Sequence, residues 1–295
     1  MRVTNSVADV QYAMQQSEQL LATALQQVST SKRVNQLSDD PSASANMVRS
    51  LADSAKVDRY TSNGNSVLAK LQVADSALSS VVTSMNQAIT LGTSGANSTL
   101  TDSNRESIAA QVQGILSSVI AQANTTCQGS YVFAGSDSGT EPFTADATSA
   151  SGYSYNGNST VNQVQVGDSI SVATNIPGDQ VFTDGANVIQ SLANLVTALQ
   201  SGTLADIGTA TTAVSTALNY VSQQRVPLGN AVSQLNAQES YLSQETVTLT
   251  SQQTALVGAD LATAATNLSE AETTHSAVLA AAAKVLPQTL LDYLR

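Results

Sequence analysis

The chain has 295 residues, of which 11% are charged, and 22 Asp and Glu against 11 Lys and Arg leave a net charge of −11. That length allows two or more compact units, while the acidic balance excludes non-specific nucleic-acid binding, whose affinity comes from phosphate neutralisation. A lone Cys127 excludes an intramolecular disulfide framework and a multi-cysteine metal site, and the longest apolar run, residues 277–283, is far short of the ~20 residues that cross a bilayer, so no membrane insertion is expected.

The opening Met1-Arg2-Val3-Thr4-Asn5-Ser6 has no apolar core before Asp9 and Gln11, so no ordinary signal peptide is read there. A first helix is expected from near residue 5 to about residue 32. Along it Val3, Val7, Val10, Met14, Ser17, Leu21, Ala24 and Val28 step by alternating fours and threes. Near the other end Leu261, Ala264, Leu268, Ala271, His275, Val278, Ala282 and Val285 do the same. This spacing keeps one stripe facing a partner helix, as in left-handed coiled packing. The two seams invite pairing with each other or with neighbouring copies, with Leu294 as a further packing residue near the end of the chain.

After the first helix comes a polar break, Asn35-Gln36-Leu37-Ser38-Asp39-Asp40-Pro41. Asp40 fits an N-cap and Pro41 the first helical position, where its missing N–H costs nothing. A second helix carries Leu68, Leu71, Asp75, Leu78, Val82, Met85 and Ile89, and Gly92, Gly95 and Asn97 end it. A third restarts at a capping box, Ser103 to Glu106, and carries Ile108, Val112, Ile115 and Val119, so that residues 1–130 read as an N-terminal helical arm.

Composition then shifts. Residues 131–185 hold all three Phe, and Tyr153 with Tyr155, Val164 with Val166, and Ile170 with Val172 alternate with period two. The turns Asn156-Gly157-Asn158 and Gly167-Asp168 suit positive φ. No Lys or Arg occurs between Arg105 and Arg225, whereas six Asp and Glu lie in this stretch of residues 131–185, which reads as a small, outward-facing β insert. Residues 186–295 return to helix: a short one through Val188, Leu192, Leu195, Val196 and Leu199, then a long one through Val221, Leu228, Val232, Leu235, Leu242, Leu249 and Leu256, which Pro227 and Gly229 are expected to kink or interrupt. The fold class is mainly α: a long coiled-coil-like bundle of N- and C-terminal arms with a β-rich insert between them.

No constellation of catalytic residues emerges. Asp39 and Asp40 read as caps and not as a carboxylate pair, because no partner acid or His lies nearby. His275, the only histidine, lacks companions for a metal site or triad and reads as an interface residue, and Cys127 has no basic activator close in sequence. The mixed charges of Lys32, Arg33, Arg49, Lys56 and Arg59 with Asp39, Asp40, Asp53 and Asp58 suit a solvated or subunit-pairing face. No catalytic, cofactor-binding or metal residue is expected.

Three stretches in order carry a resemblance. They are Ser31-Lys32-Arg33-Val34-Asn35 with Ser38-Asp39-Asp40-Pro41; Gly129-Ser130-Tyr131-Val132-Phe133-Ala134-Gly135 with Pro142-Phe143, Tyr155-Asn156-Gly157 and Gly178-Asp179-Gln180-Val181-Phe182; and Ala259-Asp260-Leu261-Ala262 through Leu290-Leu291-Asp292-Tyr293-Leu294. Together they resemble the flagellar hook–filament junction proteins, relatives of flagellin. Leu37 stands where that family usually has Pro, and Pro287-Gln288 is similar to the end of flagellins. The resemblance implies a non-enzymatic structural subunit exported through the flagellar type III channel without a cleavable signal peptide. It further implies a homo-oligomeric ring between a neighbouring hook-associated protein and flagellin, inner coiled-coil terminal helices, and a cytoplasmic export chaperone on the C-terminal helix. The alternatives are a minor flagellin and a cytoplasmic helical adaptor bundle.

Overall fold

The computed structural model describes the backbone of residues 3–293 and the side chains of residues 8–284. Among the described residues there are six α-helices: α1 (Val3–Thr30), α2 (Pro41–Gly95), α3 (Asp102–Ala123), α4 (Val188–Ser201), α5 (Leu204–Val257) and α6 (Leu261–Tyr293). Between α3 and α4 run β1 (Thr126–Cys127), β2 (Ser130–Tyr131), β3 (Phe143–Ala145), β4 (Tyr153–Tyr155), β5 (Gln163–Gly167) and β6 (Ile170–Ala173), then a π-helical turn, Asp179–Thr183. The strands pair in sequence order as three separate antiparallel ladders. This is the mainly helical architecture with a small central β region that the sequence patterns predict.

The chain divides into two compact units, one of residues 1–56 with 244–295 and one of residues 57–243. This division differs from the three consecutive blocks read from composition. The hairpins do not stand apart: Phe133, Phe143, Val166, Val172 and Phe182 share one continuous apolar core with Leu78, Met85, Val112, Leu116, Leu195 and Val214 of the helices. Burying a side chain from both kinds of element in one core removes more apolar surface from water than a two-stranded hairpin could bury alone.

In residues 57–243 the aromatic rings form the centre. Phe182 meets Phe133 edge-on at 5.4 Å and Phe143 at 5.5 Å, and Phe143 tilts against Tyr155 at 5.1 Å. Such edge-to-face pairs add to the area term. Gly135 adopts φ +72°, and a Cβ there would overlap the Asn158 carbonyl oxygen, so only glycine fits. Gly92 lies inside α2 and brings it close to Thr211 of α5; it serves packing, while α2 ends at Gly95.

Three local expectations need correction. The N-cap of α3 is Thr101, whose side chain accepts from the Asn104 N–H, so Ser103 falls inside the first turn. Cys127, within the stretch read as the N-terminal helical arm, is buried in the strand β1. Of the kink or interruption expected at Pro227 and Gly229, the interruption does not occur: helix α5 continues through both. Leu228, 1% exposed, and Leu235 hold this stretch in the core, and that packing offsets the ~3 kcal/mol that an internal proline costs.

Candidate assembly seam and clasp

In the unit of residues 1–56 and 244–295, α1 packs along α6. Ser17, Ala24, Ala264, Ala271 and Ala282 are buried, and Val10, Met14, Leu21, Val28, Leu268, His275 and Val278 are half-buried beside them. The three–four spacing of both helices is therefore the spacing of their mutual contact. Contacts at Ser17 with His275 and at Lys32 with Gly258 show that the pairing is antiparallel. Leu261 departs from the expectation: it is 53% exposed. It is the first residue of α6, and across from it α1 has already ended at Thr30, so no helix is left to cover it. The side chains of Val3, Val7 and Val285, and all of Leu294, lie outside the described residues.

Small residues dominate what the seam buries, and large ones flank it in the open. Tyr12, Leu20, Leu25 and Leu279 are all exposed. Helix α6 begins with a cap, because Asp260 accepts from the Ala262 N–H at 3.0 Å and from the Thr263 hydroxyl at 3.1 Å.

The motif Lys32 to Pro41 builds a clasp that ties the α1–α2 turn to the α5–α6 turn. Ser31 takes φ +55°, reversing the chain. The Arg33 N–H then donates to the Val257 carbonyl at 2.7 Å, and the Ala259 N–H donates to the Ser31 carbonyl at 3.0 Å. The Arg33 guanidinium reaches the Leu256 carbonyl at 3.1 Å and the Asp40 carboxylate at 3.3 Å. Asn35 closes the turn by donating to the Lys32 carbonyl at 2.9 Å. Val34, Ala43 and Val257 bury a small apolar cluster beneath, whereas Leu37, 76% exposed, and Ser38 contribute no such burial.

Both aspartates serve the backbone, but only Asp40 caps a helix as expected, while Asp39 closes the turn before it. Asp39 accepts from the Asn35 and Gln36 N–H groups, each at 2.9 Å, and Asp40 accepts from the Ala43 N–H at 2.9 Å, capping α2 behind Pro41. Hydrogen bonds from the backbone of Gln36 and then Asn35 hold the Asp39 carboxyl below its ordinary value. The Ala43 N–H does the same for Asp40, with the Arg33 guanidinium adding to it.

The middle motif residues are structural. Tyr131 lies in β2, Phe133, Phe143 and Phe182 are fully buried, Pro142 is buried beside Phe143, and Gly135 makes the tight turn already described. The Tyr155 hydroxyl reaches the Phe133 carbonyl at 2.9 Å, and burial pushes its pKa up. Sequence reasoning missed the ion pair that joins α5 to α2, in which the Arg225 guanidinium binds the Asp75 carboxylate through two contacts, at 2.9 and 3.1 Å. A carboxylate in an otherwise apolar helical stripe was the available signal. Among the described residues no three His, Cys, Asp or Glu side chains cluster as metal ligands, and no helix is long and apolar enough to cross a membrane.

Residues 4–138 match the bacterial flagellin N-terminal helical region, and residues 211–294 match the bacterial flagellin C-terminal helical region. The chain is 30% identical over 260 residues to flagellar hook-associated protein 3 of Escherichia coli strain K12, covering 80% of each. Its fold is similar to that of a flagellar hook-associated protein from Vibrio parahaemolyticus, with a TM-score of 0.68 and 21% identity over 74% of this chain and 99% of that one. It is also similar to FlgL of Xanthomonas campestris, with a TM-score of 0.62 and 18% identity over 68% and 98% of the two chains. An antiparallel seam of terminal helices, a clasped turn motif and a central β region accompany that similarity over most of the chain's length, and the chain belongs to the flagellar hook-associated protein 3 family, structural proteins of the bacterial flagellum.

Proposed function

We propose that the chain joins hook to filament as a ring of identical subunits, lying between a neighbouring hook-associated protein and flagellin. Its terminal helices complete their folding as copies pack. The seam unites α1 with α6 within a subunit, and the exposed apolar flanks at Tyr12, Leu20, Leu25 and Leu279 carry the contacts to neighbours. The acidic β region faces outward. The subunit leaves the cell through the flagellar export channel without a cleavable signal, and a cytoplasmic chaperone covers the C-terminal helix beforehand. It performs no catalysis.

One observation carries this reading: the seam buries mainly Ala and Ser, while large apolar side chains beside it stay in water. At about 25 cal/mol per Å² such a seam stabilises little by itself, and isolated helices with weak packing are marginal. Covering the flanks by further copies supplies what the single chain lacks.

Deleting the gene tests the proposal. Bare hooks on the cells, with unpolymerised flagellin in the medium, are the expected result by electron microscopy and immunoblot. Intact filaments would overturn it. If the purified chain then grows long filaments alone, it is a minor flagellin; if it stays inside the cell, it is a cytoplasmic adaptor.

A further inference from the structure

We propose that the start of α2 in one copy receives the α1–α6 pair of a second copy, a contact that rests on the subunit packing proposed above and names its two surfaces. Between Pro41 and Lys56, α2 reverses the usual order of helix faces. Towards the end of α5 it turns Ala43, Ser44, Met47, Ser50 and Ser54. There the Gln253 amide donates to the Ser50 carbonyl at 3.3 Å and to the Ser54 hydroxyl at 3.0 Å. Ser50 is 3% exposed, and its Oγ has no hydrogen-bond partner among the described residues. Away from α5 lie Val48, Leu51, Ala52 and Ala55, all exposed, Val48 by 62% and Leu51 by 49%. Their i, i+3, i+4, i+7 spacing is that of an apolar stripe that packs on a partner. Arg49 and Lys56, one heptad apart, run along its edge, and the Arg49 guanidinium meets the neutral Asn46 side chain at 3.4 Å. The intervening Asp53 falls on the flank nearer α5. A helix that turns serines inward and Val and Leu outward is built to be covered from outside.

Charge selects the occupant. Within residues 8–283, α1 and α6 carry Asp9, Glu18, Glu270 and Glu272 and no Lys or Arg. Glu18 and Leu25 each follow a seam residue, Ser17 and Ala24, and on α6 Glu272 and Leu279 follow Ala271 and Val278. Reversing one helix also reverses its flanks, so in an antiparallel pair the residues that follow the seam on both helices border the same side. The contact of Ser17 with His275 places Glu18 and Glu272 less than one turn apart along the pair. One face thus holds two neighbouring carboxylates between Leu25 and Leu279, and all four residues are exposed. Two such faces set together would oppose carboxylate to carboxylate, and two α2 stripes would oppose Arg49 to Arg49. The acidic face of one copy on the α2 stripe of another instead matches Leu25 and Leu279 with Val48 and Leu51, and the carboxylates with Arg49 and Lys56. Because the two surfaces differ, the contact is heterologous, and successive copies joined by it form a ring or a helical row and not an isolated dimer.

Charge reversal in the full-length chain tests the contact, read by immunoblot as the amount of subunit in cell-attached flagella. Glu18→Lys with Glu272→Lys should lower incorporation at least about tenfold, and Arg49→Glu with Lys56→Glu should do the same, because each sets like charges together. Combining all four substitutions should restore it to within about threefold of the parent, as a coupled pair of surfaces requires. Asp9→Lys with Glu270→Lys makes the same change of charge elsewhere on the pair and should leave incorporation within about twofold. Urea unfolding of each purified variant separates a lost contact from a lost fold. Where half-buried Lys56 proves sensitive to reversal, Arg49→Glu with Lys56→Gln takes its place. Either reversal incorporating like the parent overturns the proposal, as does an equal loss in Asp9→Lys with Glu270→Lys. A combined variant that fails to recover also overturns it, since another occupant then sits on one of the two surfaces. None of these outcomes decides the junction role: bare hooks after gene deletion would stand whether or not the reversals matter.

Discussion

The two units of this chain use apolar residues in opposite ways. The largest fully buried side chains, among them Phe133, Phe143, Phe182, Leu78, Met85 and Leu195, all lie in residues 57–243. The other unit buries mostly Ala24, Ala43, Ala264, Ala271 and Ala282 with Ser17, Ser44 and Ser50, yet the smaller unit holds nine of the thirteen exposed large hydrophobics found among the described residues. One region satisfies its apolar surface inside the chain and so carries the stability of the subunit. The other leaves that surface unsatisfied, as a segment does when its partners are other molecules. Within the second region, the clasp supplies what packing does not: backbone hydrogen bonds that align two turns across a gap of more than two hundred residues in sequence.

Mutations sharpen this contrast. Phe182→Ala removes a fully buried ring that meets two others, and it should cost about 3–5 kcal/mol in urea unfolding followed by near-ultraviolet signals. A cost below about 1 kcal/mol would mean that the aromatic centre is not what holds residues 57–243 together. Gly135→Ala should cost about 2–3 kcal/mol in the same measurement, combining strain at positive φ with overlap against a backbone oxygen that cannot rotate away. In the other unit, Leu268→Asp places a charge at a half-buried seam position. It should leave the main unfolding transition within about 1 kcal/mol of the parent, yet abolish incorporation of the subunit into cell-attached flagella. Normal incorporation of Leu268→Asp would break the link between seam and assembly. Amide exchange should show the same ordering, with faster exchange in α1 and α6 than in α3 and α4.

How much of this was legible in the sequence varies with how local the determinant is. The seam from Val10 to Val28 and from Ala264 to Ala282 was readable because helical periodicity is written residue by residue. The Asp40–Pro41 start of α2 and the strands at Tyr153–Tyr155 and Ile170–Ala173 were readable for the same reason. Pro227 does not interrupt α5, because its local cost is overridden by Leu228 and Leu235 packing on distant residues. Ser103 misled because it alone has the Glu three residues on that a capping box asks for, whereas the extended backbone that starts the helix falls at Thr101. The shared core of hairpins and helices was hidden altogether: nothing in the residue spacing tells Phe182 that it will meet Phe133, 49 positions earlier. The seam's function in assembly is a step further removed, since the residues that would receive it belong to other molecules.

The smallest expected effect concerns the clasp, and it separates charge from geometry. Asp39 and Asp40 both have carboxyl pKa values lowered from the ordinary 3.8 by backbone N–H donors. A lowered folded value means that the stabilisation is present above the unfolded pKa and is lost as pH falls through the folded one. The clasp should therefore be intact at neutral pH and loosen below about pH 4, where protonation weakens the bonds from Asn35, Gln36 and Ala43. Backbone amide shifts of Gln36 and Ala43, followed by NMR from pH 7 to pH 2, should titrate together with the two carboxylates. Asp39→Asn with Asp40→Asn keeps oxygen acceptors of similar shape but no charge, so its amide shifts should stay flat over that range. Asp39 is exposed and Asp40 half-buried at the surface, where water still screens their interactions, so the gain is small and confined to the turn. If the unit of Phe182 titrated with them, the clasp would be coupled to the main core, and the division of labour between the two units would fail.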